Sequence, residues 1–349
     1  MATLRETPMP KTLSANPNRL VAVVGAAVAT VALATGTPPA YAGSAPPPLP
    51  VAGATIVVGG TSSPSLTPDV MAGFANTFSG TLINVGYPAQ LWPFTTGVTL
   101  GESVATGAAA LASVIAAGLN VAETMVVWGI SQGALVVAAG LDVLAATVDP
   151  SRLTLVRVAD PATPVTGILN AVPREVLSVL RWRPPPAAAA FNEILVVNQY
   201  DGFAHWPLRP DPAAILNALA GAWYRHAQTA YVDLADVPTG NVTVETRANG
   251  TTATTYLMPA THLPLTQPLR DIGVPASYVD ALDATLRPVI DAAYQPLPVA
   301  APLQRRDPAA HQDQRVASAY RGRTAGRAEA AAPPRPERGH RAARPSARP

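Results

Sequence analysis

The sequence predicts an α/β fold in which a mostly parallel central sheet is covered by helices on both faces. Three observations carry this expectation. Short apolar runs alternate with longer helix-like stretches, the order that builds parallel strands joined by crossover helices. Those runs are apolar at nearly every position, as in strands buried on both faces. One of them passes through Gly129-Ile-Ser131-Gln-Gly133 into an alanine- and valine-rich stretch, a strand–turn–helix with a serine at its apex.

The elements follow in order. Ala54–Val58 is a strand, Thr67–Phe78 a helix and Thr81–Gly86 a second strand. Gly101–Ala117 is a helix leading to the strand Glu123–Trp128. Gln132–Thr147 holds no proline, and its one Val-Val pair is too short to stop a helix. Leu153–Ala159 and Glu193–Asn198 are further strands, and Ala213–Trp223 is a helix. Asn241–Arg247 and Thr251–Met258 flank Ala248-Asn249-Gly250, where Asn-Gly suits a tight hairpin turn. Tyr278–Ala293 closes the domain as a helix. Trp182–Ala190, with Pro184-Pro185-Pro186, interrupts this pattern as an inserted loop or lid.

Composition narrows the function classes. From Gln304 onward stand 11 arginines and 4 acidic residues; of the 24 basic and 22 acidic residues in the chain, the part before it holds 13 and 18. The body is therefore mildly acidic, and the basic pI belongs to the tail, which argues against nucleic acid as a partner. No cysteine occurs, so disulfides, thiolate metal sites and cysteine nucleophiles are excluded. Lys11 and Arg19 precede an apolar run from Leu20 to Leu33, followed by Ala40-Tyr41-Ala42. Residues 1–42 thus read as a cleaved export signal, with an uncleaved N-terminal anchor as the alternative, and the expected location is secreted or cell envelope. Residues 43–53 form a Pro-rich linker, 54–301 the folded domain, and 302–349 an Arg/Ala/Pro-rich tail that cannot support a core.

The Gly-x-Ser-x-Gly turn is a nucleophile elbow in which Gly129 and Gly133 give Ser131 room. A serine hydroxyl needs a base to take its proton and a carboxylate to orient that base. In the α/β-hydrolase fold the chain order is Ser, Asp or Glu, then His. Asp201 directly follows a strand and is the favoured acid, with Asp160 as competitor. His262, in a strand-end loop late in the chain, is the favoured base; His205 and His226 are the alternatives, and His226 also suits a charged helix end. The N–H of Gln132 and the Val58-Gly59-Gly60-Thr61-Ser62 loop are the expected oxyanion donors, with Thr61 as the second of them. No two histidines have ligand spacing on one element, so neither metal nor other cofactor is expected.

Gly59-Gly60-Thr61, Tyr87-Pro-Ala-Gln-Leu-Trp-Pro93, Gly129-Ile-Ser-Gln-Gly133, Gln199-Tyr-Asp-Gly-Phe-Ala-His-Trp-Pro207 and His262-Leu-Pro-Leu-Thr-Gln-Pro-Leu269 occur in this order. In these blocks, from about Thr55 to Tyr294, the chain resembles the PE-PPE domain proteins of mycobacteria and their relatives. The resemblance implies a cutinase-like serine α/β hydrolase acting on acyl esters or lipids, with Ser131, Asp201 and His262 as its triad. Some family members resemble envelope acyltransferases that build acylated trehalose glycolipids. His205 stands where the family often has a second Asp, which favours Asp201. No PE or PPE helical module precedes the domain, so pairing through one is not expected, and the Arg-rich tail departs from the family pattern. The expected function is an exported esterase for short-to-medium-chain acyl esters. The alternatives are an envelope acyltransferase using the same triad, or a non-catalytic envelope protein on a hydrolase scaffold. For the tail, contact with anionic envelope lipid is the sharper expectation and a solvated extension the plainer one.

Overall fold

The computed structural model describes residues 48–78, 80–145, 148–184 and 190–294. The expected leader, the first part of the linker, Pro185 and Pro186 of the proline run, and the basic tail lie outside the described residues.

The chain runs β1 (Ala54–Val58), α1 (Pro68–Phe74), β2 (Thr81–Asn84), α2 (Leu100–Gly118), β3 (Met125–Ile130), α3 (Gln132–Ala145) and β4 (Leu153–Val158). It continues through α4 (Arg174–Val179), β5 (Asn192–Asn198), α5 (Pro212–Tyr224), β6 (Val242–Thr246), β7 (Thr252–Met258), α6 (Gln267–Asp271) and α7 (Ala276–Tyr294). The strands form one sheet in the order β2-β1-β3-β4-β5-β7-β6. All neighbours are parallel except the edge hairpin, where β6 runs antiparallel to β7. This is the α/β-hydrolase architecture, a mostly parallel sheet between helical layers.

The strands are apolar throughout because both faces are covered. Ile56, Val58, Val127 and Leu155 point to one core, shared with Leu111 and Ile115 of α2 and Leu135 of α3. Val57, Val126, Trp128, Val156 and Val158 point to the other, shared with Met71 of α1 and with Ala230 and Leu234. The alternation along each strand thus separates two cores rather than a core from solvent.

Element ends moved where a local feature overrides the apolar pattern. α1 stops at Phe74 instead of running to Phe78; the chain must turn into β2, and Gly80 does so at φ 96. A Cβ there would stand 2.6 Å from the Ala52 carbonyl. β3 begins two residues later than expected and runs to Ile130, so the elbow serine follows it without a spacer. α2 starts at a capping box: Thr99 accepts from the Glu102 N–H while Glu102 accepts from the Thr99 N–H. The hairpin forms as expected, with Gly250 at φ 84.

The topology fixes where a site can lie. β2 lies to one side of β1 and β3 to the other, so the loops after β1 and β3 diverge and leave a crevice at the carboxyl edge of the sheet.

Candidate active site

Ser131 sits at that crevice, between the last residue of β3 and the first of α3, at φ 55. A non-glycine residue holds that left-handed conformation only where its surroundings enforce it, at a cost of about 1–3 kcal/mol. The two glycines show the enforcement. A Cβ on Gly129 would lie 2.4 Å from the Gly133 carbonyl oxygen, and one on Gly133 would lie 2.3 Å from that of Val58. The Ser131 N–H donates to the Val158 carbonyl at 2.9 Å, tying the elbow to β4.

The loop after β1 lies against the serine, for a Cβ on Gly60 would come within 3.2 Å of the Ser131 Cβ. Tyr87 holds this loop by donating to the Gly59 carbonyl at 2.7 Å, and burial raises its phenol pKa, so the hydroxyl remains a donor. Gln132, buried, donates through Nε2 to the Gln90 carbonyl at 2.7 Å. Its side chain is thereby committed to structure, which leaves its backbone N–H as the group to face an oxyanion. As the first residue of α3 it has no intrahelical acceptor for that N–H. Thr61 follows Gly60 in the loop that lies against Ser131, and Gln132 follows the serine directly in the chain.

Asp201 lies beyond the carboxyl end of β5, with its side chain fully buried (0% exposed). One oxygen accepts from the Phe203 N–H at 2.9 Å. Both lie 2.9 Å from Nδ1 of His226. The other nitrogen of that ring, Nε2, lies 2.9 Å from Ser131 Oγ. With the proton on Nδ1 donated to the carboxylate, Nε2 is free to accept the serine proton. The histidine is 15% exposed, enough for a substrate to reach but dry on its Asp201 side.

Close packing of backbones brings His226 there. α5 lies directly on the turn that carries Asp201: a Cβ on Gly202 would stand 2.1 Å from the Ala218 carbonyl, and one on Gly221 would overlap the Tyr200 carbonyl. Only this pair of glycines lets the end of α5 come near enough. Asn198, the last residue of β5, then pins the segment after the helix. Its Nδ2 donates to the Arg225 carbonyl and to Thr229 Oγ1, each at 3.0 Å. Phe203 packs on the imidazole with ring centroids 4.4 Å apart.

The structure therefore brings Ser131 and Asp201 together but corrects the expectation for His262. That residue lies 44% exposed beside α7, with Nδ1 at 3.7 Å from Asp280 and 3.5 Å from Asp283. The loop after β7 is fastened to α7 instead, where the Leu263 N–H donates to Asp283 at 3.2 Å, and the place beside Ser131 Oγ is taken by Nε2 of His226. In the sequence His226 is an alternative base that also suits a helix end; the signal that singles it out is Gly221, five residues before it, which packs on the acid turn at Tyr200 and Gly202. Asp160, the competing acid, is paired with Arg157, which also binds Glu193. Burial alone would lower the Arg157 pKa, but the two carboxylates outweigh it and raise it.

His262, Asp280 and Asp283 cluster closely enough to suggest a cation. Arg270 already donates to both carboxylates, at 2.7 and 3.1 Å, and Leu263 N–H and Thr266 Oγ1 also donate to Asp283. This donor set fastens α6 to α7 and leaves little for a metal.

An elbow serine, an imidazole and a buried carboxylate in one hydrogen-bonded line, on this sheet, define the serine α/β-hydrolase class. The PE-PPE domain family matches residues 80–295, and the chain belongs to that family. It is 34% identical to the SL1278 acyltransferase Chp1 of Mycobacterium tuberculosis over 248 residues, 68% of this chain and 60% of that one. It is 42% identical to the Diacyltrehalose acyltransferase Chp2 over 112 residues, 32% and 31% of the two chains. It is 34% identical to the Esterase PE16 over 218 residues, 59% and 41%; both are from the same organism. The chain thus spans about three fifths or less of these relatives. Among solved structures, a Trichoderma reesei cutinase with a phosphonate inhibitor aligns with 25% identity and TM-score 0.24, covering 33% of this chain and 55% of its own. The esterase LipW of Mycobacterium marinum aligns with 13% identity and TM-score 0.30, covering 80% and 87%. Likeness at that level adds nothing to what the sheet order and the site define.

Proposed function

We propose that this chain forms an acyl-enzyme on Ser131 and hydrolyses short-to-medium-chain acyl esters, with His226 as base and Asp201 as its orienting acid. The continuous line of 2.9 Å contacts from Ser131 Oγ through His226 to Asp201 carries this reading. His226 Nε2 takes the serine proton as Oγ bonds to the ester carbonyl carbon, whose π pair moves to oxygen. The backbone N–H groups of Gln132 and Thr61 receive that oxyanion. The bond to the alcohol then breaks, His226 returns the proton to the leaving oxygen, and water repeats the sequence to free the acid. Phe203, only partly buried, packs on His226 and on the buried cluster of Ile168, Trp206 and Ala218, and so offers an apolar surface beside the base for an acyl chain.

A second reading, acyl transfer to a glycolipid hydroxyl in place of water, is favoured by the activities named for Chp1 and Chp2. p-Nitrophenyl ester hydrolysis by the chain and by Ser131→Ala tests both. Turnover lost in Ser131→Ala supports the acyl-enzyme. Faster turnover with diacyltrehalose, accompanied by acylated product, selects transfer. No turnover and no fluorophosphonate labelling of Ser131 refutes both.

The Lys11/Arg19, Leu20–Leu33 and Ala40-Tyr41-Ala42 pattern supports work outside the cytoplasm, and the 11 arginines after Gln304 support contact with anionic envelope lipid. Fractionation of the expressed chain checks the first of these. Sedimentation with anionic vesicles, with and without the tail residues 302–349, checks the second.

A further inference from the structure

We propose that His205 is a positioning residue for Asp201: its imidazole closes the turn that aims the carboxylate at His226. The inference rests on the reading of Ser131, His226 and Asp201 as a working triad. The turn leaves β5 at Asn198 and forces Tyr200 to φ 66 while burying its ring completely. A tyrosine keeps such a backbone only if the surroundings hold it.

Two bonds from one residue do so. The His205 N–H donates to the Asp201 carbonyl at 2.8 Å. The Tyr200 N–H donates to His205 Nδ1 at 3.2 Å. The ring accepts at Nδ1, so its own proton is on Nε2. One side chain thus braces the residue before Asp201 while its backbone braces Asp201 itself.

α7 locks the ring in place. His205 stacks on Tyr294 with centroids 4.6 Å apart and planes 5° from parallel. Tyr294 meets Tyr200 edge-on at 5.4 Å, and the Tyr200 hydroxyl donates to Asp291 while accepting from Arg287 Nη1 at 3.1 Å. Asp201, Tyr200 and Tyr294 are thus the titratable groups facing the ring, with Asp291 and Arg287 behind Tyr200. Burial pushes the His205 imidazole down to about 4, against the opposing pull of the Asp201 charge. The ring therefore stays a neutral acceptor wherever the triad works; a protonated ring would meet the Tyr200 N–H with a second donor.

The test compares His205→Phe and His205→Asn with the wild-type chain, in p-nitrophenyl ester kinetics across pH. It also follows the low-field proton resonance of His226 Nδ1–H bound to Asp201. His205→Phe keeps the stack and deletes the acceptor. It is expected to lower kcat by about tenfold or more with KM within about twofold. The acid limb of the profile should move to lower pH, because the His226 imidazolium loses an aligned carboxylate, and the resonance should weaken. His205→Asn, whose Oδ1 can accept from Tyr200, should recover most of the loss. Should His205→Phe not fold, Tyr294→Leu keeps the Nδ1 acceptor while removing the ring that stacks on His205 and meets Tyr200 edge-on, and should give a smaller drop with the same shift. Unchanged kcat, acid limb and resonance in His205→Phe would overturn the proposal. A wild-type chain with the resonance but no turnover refutes the hydrolase reading instead, and the resonance in His205→Phe then decides the positioning role.

Discussion

His226 and His262 both face carboxylates, one across 2.9 Å and the other across 3.5–3.7 Å, in surroundings that differ sharply. Asp201 is fully buried and spends its charge on the His226 ring and one backbone N–H. Asp283, also buried, is already satisfied by Arg270, Thr266 and Leu263. His262 is 44% exposed, so water screens whatever attraction remains. A histidine beside a carboxylate becomes a base for chemistry when the carboxylate has no better cation and the opposite nitrogen meets a nucleophile. Only the His226 pair meets both conditions among the described residues.

The sharpest way to break this contrast is at the acids. Asp201→Asn should lower kcat/KM by about 10³–10⁴, since the amide leaves His226 in the wrong tautomer. Asp283→Asn should leave ester turnover within about threefold while lowering the melting temperature, because Arg270 and Thr266 lose their acceptor. Equal losses in the two variants would erase the distinction.

Asp160 adds a third buried carboxylate at a strand end, sealed by an arginine instead of a histidine. Arg157→Leu would leave Asp160 and Glu193 buried with Arg247 as the remaining partner of Glu193. It should cost about 3–5 kcal/mol in urea unfolding. A loss under about 1 kcal/mol would mean that the network is not holding β4 to β5.

His205 supplies a smaller and pH-dependent effect. Its folded pKa lies near 4, below the ordinary 6.5, so the unfolded chain binds a proton that the folded one refuses. The associated stability is present above about pH 6.5 and lost as pH falls toward 4, up to roughly 3 kcal/mol. His205→Phe should flatten the stability profile across that window, and an unchanged slope would assign it to other groups. Smallest of all, Phe203→Ala should change the preference among p-nitrophenyl ester chain lengths by about threefold to tenfold, through loss of apolar wall beside His226. An unaltered preference would remove Phe203 from the substrate path.

The sheet was legible because its strands are continuous apolar runs, a pattern that depends only on burial of both faces. Ser131 was legible because an elbow demands glycines at fixed offsets, and those offsets are local in the chain. Asp201 was legible as a strand-end acid beside Gly202. The base was not, for its position depends on a contact between Gly202 and α5 and on Asn198 gripping the segment after Tyr224. Those are long-range contacts, and the order Ser, Asp, His fits His226 as well as His262; the strand-end loop around His262 is what favours the later histidine in the sequence. The short helices α4 and α6 were missed for a related reason: each is a turn or two set by its neighbours rather than by its own periodicity.

The account turns on which histidine serves Ser131, and the rate at which a fluorophosphonate labels that serine measures it directly. His226→Ala should label slower than wild type by about 10³ or more, and His262→Ala within about twofold. A slow His262→Ala variant beside an unaffected His226→Ala would contradict the account and return the base to the strand-end loop.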